Sequence, residues 1–554
     1  MHRSKIPVKD FGQPSWSKVV FKDLHADGCL MSNHGPRPSY ADVVEAMLRP
    51  EAYLSEPAVS QSTDRLENIG HHETHISDVF LAGRLVYKLK KPVKTNFLDY
   101  STLELRKYFC EQEFRLDRRY AQDLYLEVVP ITYDGELIRI AGEGETVEYA
   151  VKMRRFDSDA LLASRVDQGE VTASDIRVIA DQIARFHESA ERASPERSKR
   201  SSRFVLDNID DVFETLQEAS DDRWHQQVQQ LKGWSSQFLS RHRQGFIQRG
   251  RDGFIRSCHG DLHLENIVYW DGAFRPFDGI EFNEDLRWID VANDAAFLAM
   301  DFAAHDQFAF YRQFLNRYLE RTGDYGSLRI MRWFLVYRAL VRAMVAAVKA
   351  GQHPDDAELQ ASCLDDTKAH IDLALQFTRP PEPSLTITHG VSGSGKTWSS
   401  DRWIEQTDSI RIRSDVERKR NQQSDSANAA SSPVPSQLYE ESSRDRVYQR
   451  LEQLAEEIIR SGYAVIVDAT FLQRSHRQAF ERLAARLQVP FQILSCHAAP
   501  SELERRIEAR SQAGDDVSDA DLKVLRQQLA SQEPLTEEEK TCVIKSDTVA
   551  QSEH

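Results

Sequence analysis

Cysteine is scarce in this chain. Six residues in 554 are cysteine (Cys29, Cys110, Cys258, Cys363, Cys496 and Cys542). No two stand at metal or redox spacing, so the pattern excludes a disulfide framework and a zinc ribbon and fits reduced thiols in a cytoplasmic protein. Long apolar runs are missing as well. None reaches the ~20 residues that span a bilayer, and the N-terminus lacks a signal core, so no membrane partner is expected. Positive charge is in deficit: 71 Lys and Arg against 87 Asp and Glu leave a net charge of −16. That balance speaks against bulk nucleic acid as the main partner, while a local basic groove would escape such a count. The length exceeds what one core supports, and two to four domains are expected.

What the chain does have begins at His259-Gly260-Asp261-Leu262-His263-Leu264-Glu265-Asn266. A strand-like run, Ile267–Trp270, follows, then the turn pair Asp271-Gly272, a hairpin signal. Asp278 comes a hairpin's length later. Phosphoryl transfer needs an acid that orients the attacking hydroxyl and a metal that bridges the ATP phosphates. Protein kinases supply an Asp, an Asn five positions on, and a second Asp after the next strand pair. Asp261, Asn266 and Asp278 repeat that separation. Asp261 is thus the catalytic candidate, and Asn266 and Asp278 are the Mg²⁺ candidates.

The segment resembles the catalytic loop of the aminoglycoside phosphotransferase family, His-Gly-Asp-x-His-x-x-Asn. The resemblance implies an α+β, bilobal kinase-like domain that uses ATP and Mg²⁺. Upstream, Ile76–Leu81 and Arg84–Lys90 read as a hairpin. Lys88, on an alternating strand beside Val86, is the candidate for the α/β-phosphates, with Lys90 in reserve; solvated edge lysines are the alternative. The partner acid is expected on a helix from Leu103 to Arg119, at Glu113 or else Glu111. The Gly-x-Gly-x-x-Gly loop of protein kinases is absent, and His71–Ser77 occupies its place. Residues 124–131, 136–140 and 146–153 read as strands, and Met153–Phe156 as the hinge that meets adenine. The helix Ile176–Glu188 ends Ala184-Arg185-Phe186-His187. That ending resembles the family helix behind the catalytic loop, which makes His187 structural. Asp290 matches the family's brace below that loop. Residues 292–350 read as helices closing the same lobe.

The prolines of Arg379-Pro380-Pro381-Glu382-Pro383 mark a stiff linker. A β-branched strand follows, and then Gly390-Val391-Ser392-Gly393-Ser394-Gly395-Lys396-Thr397, a P-loop in the context it requires. Gly390, Ser392, Gly393, Ser394 and Gly395 form the cradle, Lys396 reaches the β/γ-phosphates, and the Thr397 hydroxyl meets Mg²⁺. Asp415, expected at the end of a strand 409–412, is a candidate base. Asp415-x-x-Arg418 resembles the substrate site of polynucleotide 5′-hydroxyl kinases and their small-molecule relatives, which makes Arg418 a substrate candidate. Asp468, ending the buried run Ala464–Thr470, takes the Walker-B role toward Mg²⁺. Arg506 and Arg510, at i and i+4 on one helix, read either as lid arginines that neutralise phosphate or as surface residues. The polar stretch 421–437 either covers an acceptor or is a neutral insertion.

The expected order is a leader over 1–35 (or translation starting at Met31), a kinase-like domain over 36–378, a linker over 379–383, an α/β P-loop domain with a parallel sheet over 384–548, and a tail over 549–554. The fused order resembles a group of bacterial bifunctional phosphotransferase/ATP-binding proteins. The expected activity is ATP-dependent transfer to a hydroxyl of a small molecule. Two rivals are a P-loop half acting on polynucleotide 5′-hydroxyls and a protein in which ATP only switches conformation.

Overall fold

Alternation of apolar and polar residues builds the first sheet. The computed structural model describes residues 37–55, 68–95, 98–219, 223–379, 381–428, 436–513 and 521–545. The expected leader and tail, with Met31, lie outside them. β1 (Gly70–Glu73), β2 (Ser77–Ala82), β3 (Leu85–Lys90), β4 (Tyr125–Tyr133), β5 (Ile138–Ile140) and β6 (Glu145–Arg154) form one antiparallel sheet in the order β1-β2-β3-β6-β4-β5. Tyr87 and Leu89 point to one side of β3 and are buried, while Val86 and Lys88 point to the other. The helix Leu103–Asp117 starts at the Thr102 cap and turns Cys110, Glu113 and Asp117 inward. The first helix, Tyr40–Met47, stops before Pro50, which opens a separate 3₁₀ turn.

The chain then turns helical. Long helices Pro195–Glu218, His225–Arg251 and Val291–Ala304 surround two small antiparallel ribbons. β7 (Ile255–Ser257) pairs with β10 (Trp288–Asp290), and β8 (Ile267–Trp270) pairs with β9 (Ala273–Pro276). A sheet-rich part followed by a helical part is the bilobal α+β order of a kinase-like domain.

The last part is α/β. β11 (Leu385–His389), β12 (Ile410–Arg413), β13 (Val465–Asp468), β14 (Phe491–Ser495) and β15 (Val543–Lys545) make a wholly parallel sheet, ordered β12-β13-β11-β14-β15. β11 is buried along its whole length, as a strand covered on both faces must be. β15 has no counterpart among the sequence expectations. It is three residues long, too short for a periodic signal.

The chain divides into two compact units, and the division does not follow sequence order. The first holds the described residues up to Asp175 with 185–305 and 333–376; the second holds 176–184, 306–332 and the described residues from Phe377 on. The helix Phe308–Thr322, assigned from the sequence to the first lobe, therefore packs in the P-loop unit. The reason is local. β12 is an edge strand with unpaired backbone groups, and Asn316 supplies partners: its Oδ1 accepts the Arg411 amide at 2.7 Å and its Nδ2 donates to the Ser409 carbonyl at 3.1 Å. No helix among the described residues is long and apolar enough to cross a membrane.

Candidate active sites

In the first unit, β3 delivers two ammonium groups to one buried carboxylate. Lys88 Nζ lies 2.6 Å from Asp278 Oδ1 and 3.0 Å from Glu113 Oε1. Lys90 Nζ lies 2.8 Å from Glu113 Oε2 and also pairs with Glu281, which accepts the Tyr100 hydroxyl at 2.6 Å. Burial opposes ionisation of Glu113, yet Lys88 and Lys90 together hold its carboxyl below the usual range. The two lysines differ in access. Lys88 lines a cavity of about 380 Å³, whereas Lys90 is wholly enclosed. Glu111 is outside this cluster and faces Lys107 on the surface at 3.9 Å. Val79, Val86, Tyr125, Phe277 and the run Met153–Phe156 line the cavity together with Lys88 and Asp278. His72, Thr74 and Ser77, from the segment that replaces the glycine loop, also line it.

The loop between β7 and β8 carries the acid. Asp261 is buried, and Asn266 Nδ2 donates to its carboxylate and to its carbonyl, each at 3.0 Å. With the amide nitrogen so engaged, the Asn266 side-chain oxygen is the acceptor end left for a cation. His263 Nε2 stands 3.4 Å from the same carboxylate. Burial pushes the Asp261 carboxyl up, but the adjacent His263 outweighs it and the net shift is downward. For His263, burial disfavours the cation, and Asp261 reverses this and raises the imidazole.

The loop and the Asp278 segment are laced together. Phe277 N–H donates to the Asn266 carbonyl at 3.0 Å, His259 Nε2–H to the Phe277 carbonyl at 2.9 Å, and Ile280 N–H to the His259 carbonyl at 2.9 Å. Asp278 has φ +59°, a left-handed backbone that costs a non-glycine residue about 1–3 kcal/mol and that surrounding bonds must hold. Its amide donates to Tyr125 Oη at 3.0 Å, and the Gly279 amide to Asp117 Oδ1 at 2.8 Å. Tyr125 and Asp117 carry no motif, and only the fold brings them here. Asp261 and Asn266 are not in the cavity lining; they adjoin it through the Asn266–Phe277 bond.

The brace beneath the loop differs from the expected one. Asp290 forms a two-pronged ion pair with Arg249, at 2.7 and 2.8 Å, and caps the helix Val291–Ala304 through the Ala292 amide. The loop backbone rests instead on Asp294, four residues later on that helix. Its carboxylate accepts the His259 amide at 3.0 Å, the Gly260 amide at 2.9 Å and the His187 ring at 3.1 Å. Asp301 adds the Leu264 amide at 2.8 Å, and Arg338 donates to the Gly260 carbonyl at 3.0 Å. Gly260 cannot be replaced cheaply, since its φ is +89° and a Cβ would lie 2.9 Å from the Leu286 carbonyl. His187 thus occupies the structural place expected for it.

In the second unit the P-loop joins β11 to the helix Lys396–Gln406, which Gly395 enters in left-handed conformation. A Cβ on Gly390 would sit 2.4 Å from the Cys496 carbonyl, so the loop closes only with glycine there. Lys396 Nζ donates to the Val391 carbonyl at 2.8 Å. Thr397 Oγ1 donates to Asp468 Oδ2 at 3.2 Å, and Ser400 Oγ lies 3.4 Å from the same oxygen. Hydroxyl and carboxylate oxygens in one place suit Mg²⁺. Ser394 Oγ is buried in the loop with no hydrogen-bond partner among the described residues, as fits a group built to meet a phosphate. The residues present therefore suit a magnesium nucleotide. Ser392 N–H donates to Gln528 Oε1 at 2.7 Å, a contact no motif announces.

Asp415 is not at a strand end. β12 stops at Arg413, and Asp415 stands in the first turn of the helix Ser414–Asn428, 3.8 Å from Arg418. Arg506 is half exposed, pairs with Glu502, and reaches the Gly393 carbonyl at 3.4 Å. Residues 429–435 of the stretch 421–437 lie outside the described residues, and the side chains of Arg510 and of 423–437 are not described.

Residues 385–535 match the family described as an AAA domain. An uncharacterized protein of Mycobacterium tuberculosis (strain ATCC 25618 / H37Rv), Rv2004c, is 29% identical over 462 residues, covering 80% of this chain and 87% of its own. Among solved structures, a choline/ethanolamine kinase family protein from Mesorhizobium loti aligns with 61% of this chain and 99% of its own, at 13% identity and a TM-score of 0.35. A gluconokinase from Sinorhizobium meliloti 1021 aligns with 30% of this chain and 83% of its own, at 19% identity and a TM-score of 0.23.

Proposed function

We propose that the chain is an ATP-dependent phosphotransferase with two nucleotide sites, and that the first unit transfers the γ-phosphoryl group to a hydroxyl of a small molecule. The observation that carries this reading is the Lys88 ammonium, held between Asp278 and Glu113 and lining a largely apolar cavity. A cation in such a cavity suits a triphosphate whose base enters the apolar part.

The roles follow from the side chains. Lys88 neutralises the α/β-phosphates, and Glu113 fixes its direction. Asn266 and Asp278 would hold Mg²⁺, which when bound offsets charge on the bridging oxygens. Asp261 orients the acceptor hydroxyl. As the acceptor oxygen bonds to the γ-phosphorus, the bond to the β-bridging oxygen breaks, ADP leaves, and the hydroxyl proton passes to the Asp261 carboxylate. Its lowered pKa keeps that carboxylate ionised at neutral pH. In the second unit Lys396, Thr397 and Asp468 would hold the magnesium nucleotide, with Asp415 as the base toward the acceptor and Arg418 to bind it. The net charge of −16 favours a small acceptor over a polynucleotide.

The test is a labelled-ATP screen of metabolite pools with the full chain, Asp261→Asn, Lys396→Ala and the double variant. A product lost in Asp261→Asn alone identifies the first acceptor, and one lost in Lys396→Ala alone the second. If neither change alters any product, both site assignments fail.

A further inference from the structure

One guanidinium of the P-loop unit is held by ion pairs alone, without the hydrogen bonds that anchor its neighbour on the strand. Arg411 and Arg413 are two residues apart on β12 and so share a face. Arg411 is a bonded strut: its Nη1 donates to Asp401 Oδ1 at 2.6 Å and to Ser400 Oγ at 3.0 Å. Arg413 makes no hydrogen bond among the described residues, although only 11% of its side chain is exposed. Its nearest anions are Glu320 Oε1 at 3.6 Å and Asp468 Oδ2 at 3.7 Å.

Both carboxylates are shared with other groups. Glu320 is shared among three guanidinia, with Arg317 at 2.7 Å and Arg411 at 3.6 Å besides Arg413. Arg317 has Asp181 as well, and Arg411 has Asp401. Asp468 already serves the Thr397 and Ser400 hydroxyls and is the group a magnesium ion would claim. The guanidinium nitrogens of Arg413 are left without a protein acceptor and stay open to one that a ligand brings.

Its position says which ligand. Arg413 and Asp468 are direct register partners at the ends of neighbouring parallel strands, and the P-loop springs from β11 on the far side of β13. Ligands of open parallel sheets bind beyond the carboxyl ends of the strands. A group beside Asp468 on the side away from the P-loop therefore meets Arg413, with Asp415 and Arg418 two and five residues further along the chain. The fork geometry of arginine matches an oxyanion.

We propose that Arg413 binds an oxyanion, phosphate or carboxylate, carried by the acceptor of the P-loop unit, so that this acceptor is an anionic alcohol and not a neutral polyol. The proposal rests on the reading of this unit as a nucleotide-dependent transferase.

The test uses the full chain bearing Asp261→Asn, saturated with magnesium and a non-hydrolysable ATP analogue, and calorimetric titration with glycerol 3-phosphate, glycerate and glycerol. At least one of the two anionic alcohols should bind and glycerol should not, and the preference between them separates phosphate from carboxylate. Arg413→Met should weaken that binding about 10- to 100-fold, the loss of charge-assisted hydrogen bonds. Arg413→Lys should fall between, since it keeps the charge and loses the fork. Both should bind the ATP analogue as the parent does. If Arg413→Met lowers the melting temperature, the Arg413→Lys comparison decides. Equal binding of the anionic alcohols by parent and variants, binding of glycerol as tight as theirs, or no binding of any of the three would overturn the proposal. Failure of the ATP analogue to bind in a Lys396-dependent way would instead sink the nucleotide reading beneath it.

Discussion

Replacing Asp294 with Asn tests the support of the Asp261 loop. The change keeps shape and removes one acceptor. In the native protein the two carboxylate oxygens serve three donors: the amides of His259 and Gly260 and the ring of His187. An Asn offers one oxygen and a donating NH₂, so at least one buried amide must face another donor. Each hydrogen bond to a charged group is worth about 1.5–3 kcal/mol, and an orphaned buried donor adds its own penalty. A loss of about 3–5 kcal/mol is expected, the range for breaking a buried charged network. Burial raises the Asp294 carboxyl, but the His187 bond and charge, with His259, bring it down to about 2 from an ordinary 3.8. A lowered carboxyl contributes stability that is present above the unfolded value and lost as pH falls through the folded one. The shift corresponds to roughly 2 kcal/mol at neutral pH, vanishing between about pH 4 and 2. Urea unfolding followed by tryptophan fluorescence should show the transition of the unit that holds Asp294 moved to lower urea at pH 7, and the gap from wild type should narrow toward pH 3. Only that transition is diagnostic, since the two units need not unfold together. Phosphotransfer by the first unit should fall in parallel, because the loop that carries Asp261 loses its footing. A variant within about 0.5 kcal/mol of wild type at pH 7 would refute the brace.

Lys90→Met should destabilise by about 3–5 kcal/mol, because it leaves Glu281 buried without its cation and Glu113 with Lys88 alone, whereas Lys88→Met should chiefly weaken ATP binding; thermal melts beside nucleotide titrations separate the two. Tyr125→Phe removes the acceptor of the Asp278 amide, and the concentration of Mg²⁺ giving half-maximal activity should rise several-fold while the melting temperature moves little; an unchanged Mg²⁺ curve would count against a positioning role for that hydroxyl. His263→Gln takes away the cation that depresses the Asp261 carboxyl, so the acid limb of the pH–rate profile should move to higher pH; a shift to lower pH would contradict the pairing.

Features that lie within one run of chain can be read from the residues alone. The P-loop, the Asp261-to-Asn266 spacing, the alternation that exposes Lys88 beside Val86, and most strands of both sheets are local, and local sterics and periodicity write them legibly. Whatever needed two distant segments was decided by tertiary structure. Glu113 over Glu111 is settled by which helix face meets β3, and the spacing alone leaves that open. Asp294 rather than Asp290 carries the loop because one helical turn separates a residue at the helix mouth from one facing the loop's amides, and both are acids in the same short stretch. Tyr125, Asp117, Glu320 and Gln528 have no motif, since a hydrogen bond across the fold leaves no trace in linear spacing. The helix Phe308–Thr322 joins the P-loop unit for the same reason: an edge strand needs partners for its backbone groups, and Asn316 supplies them from nearly a hundred positions away.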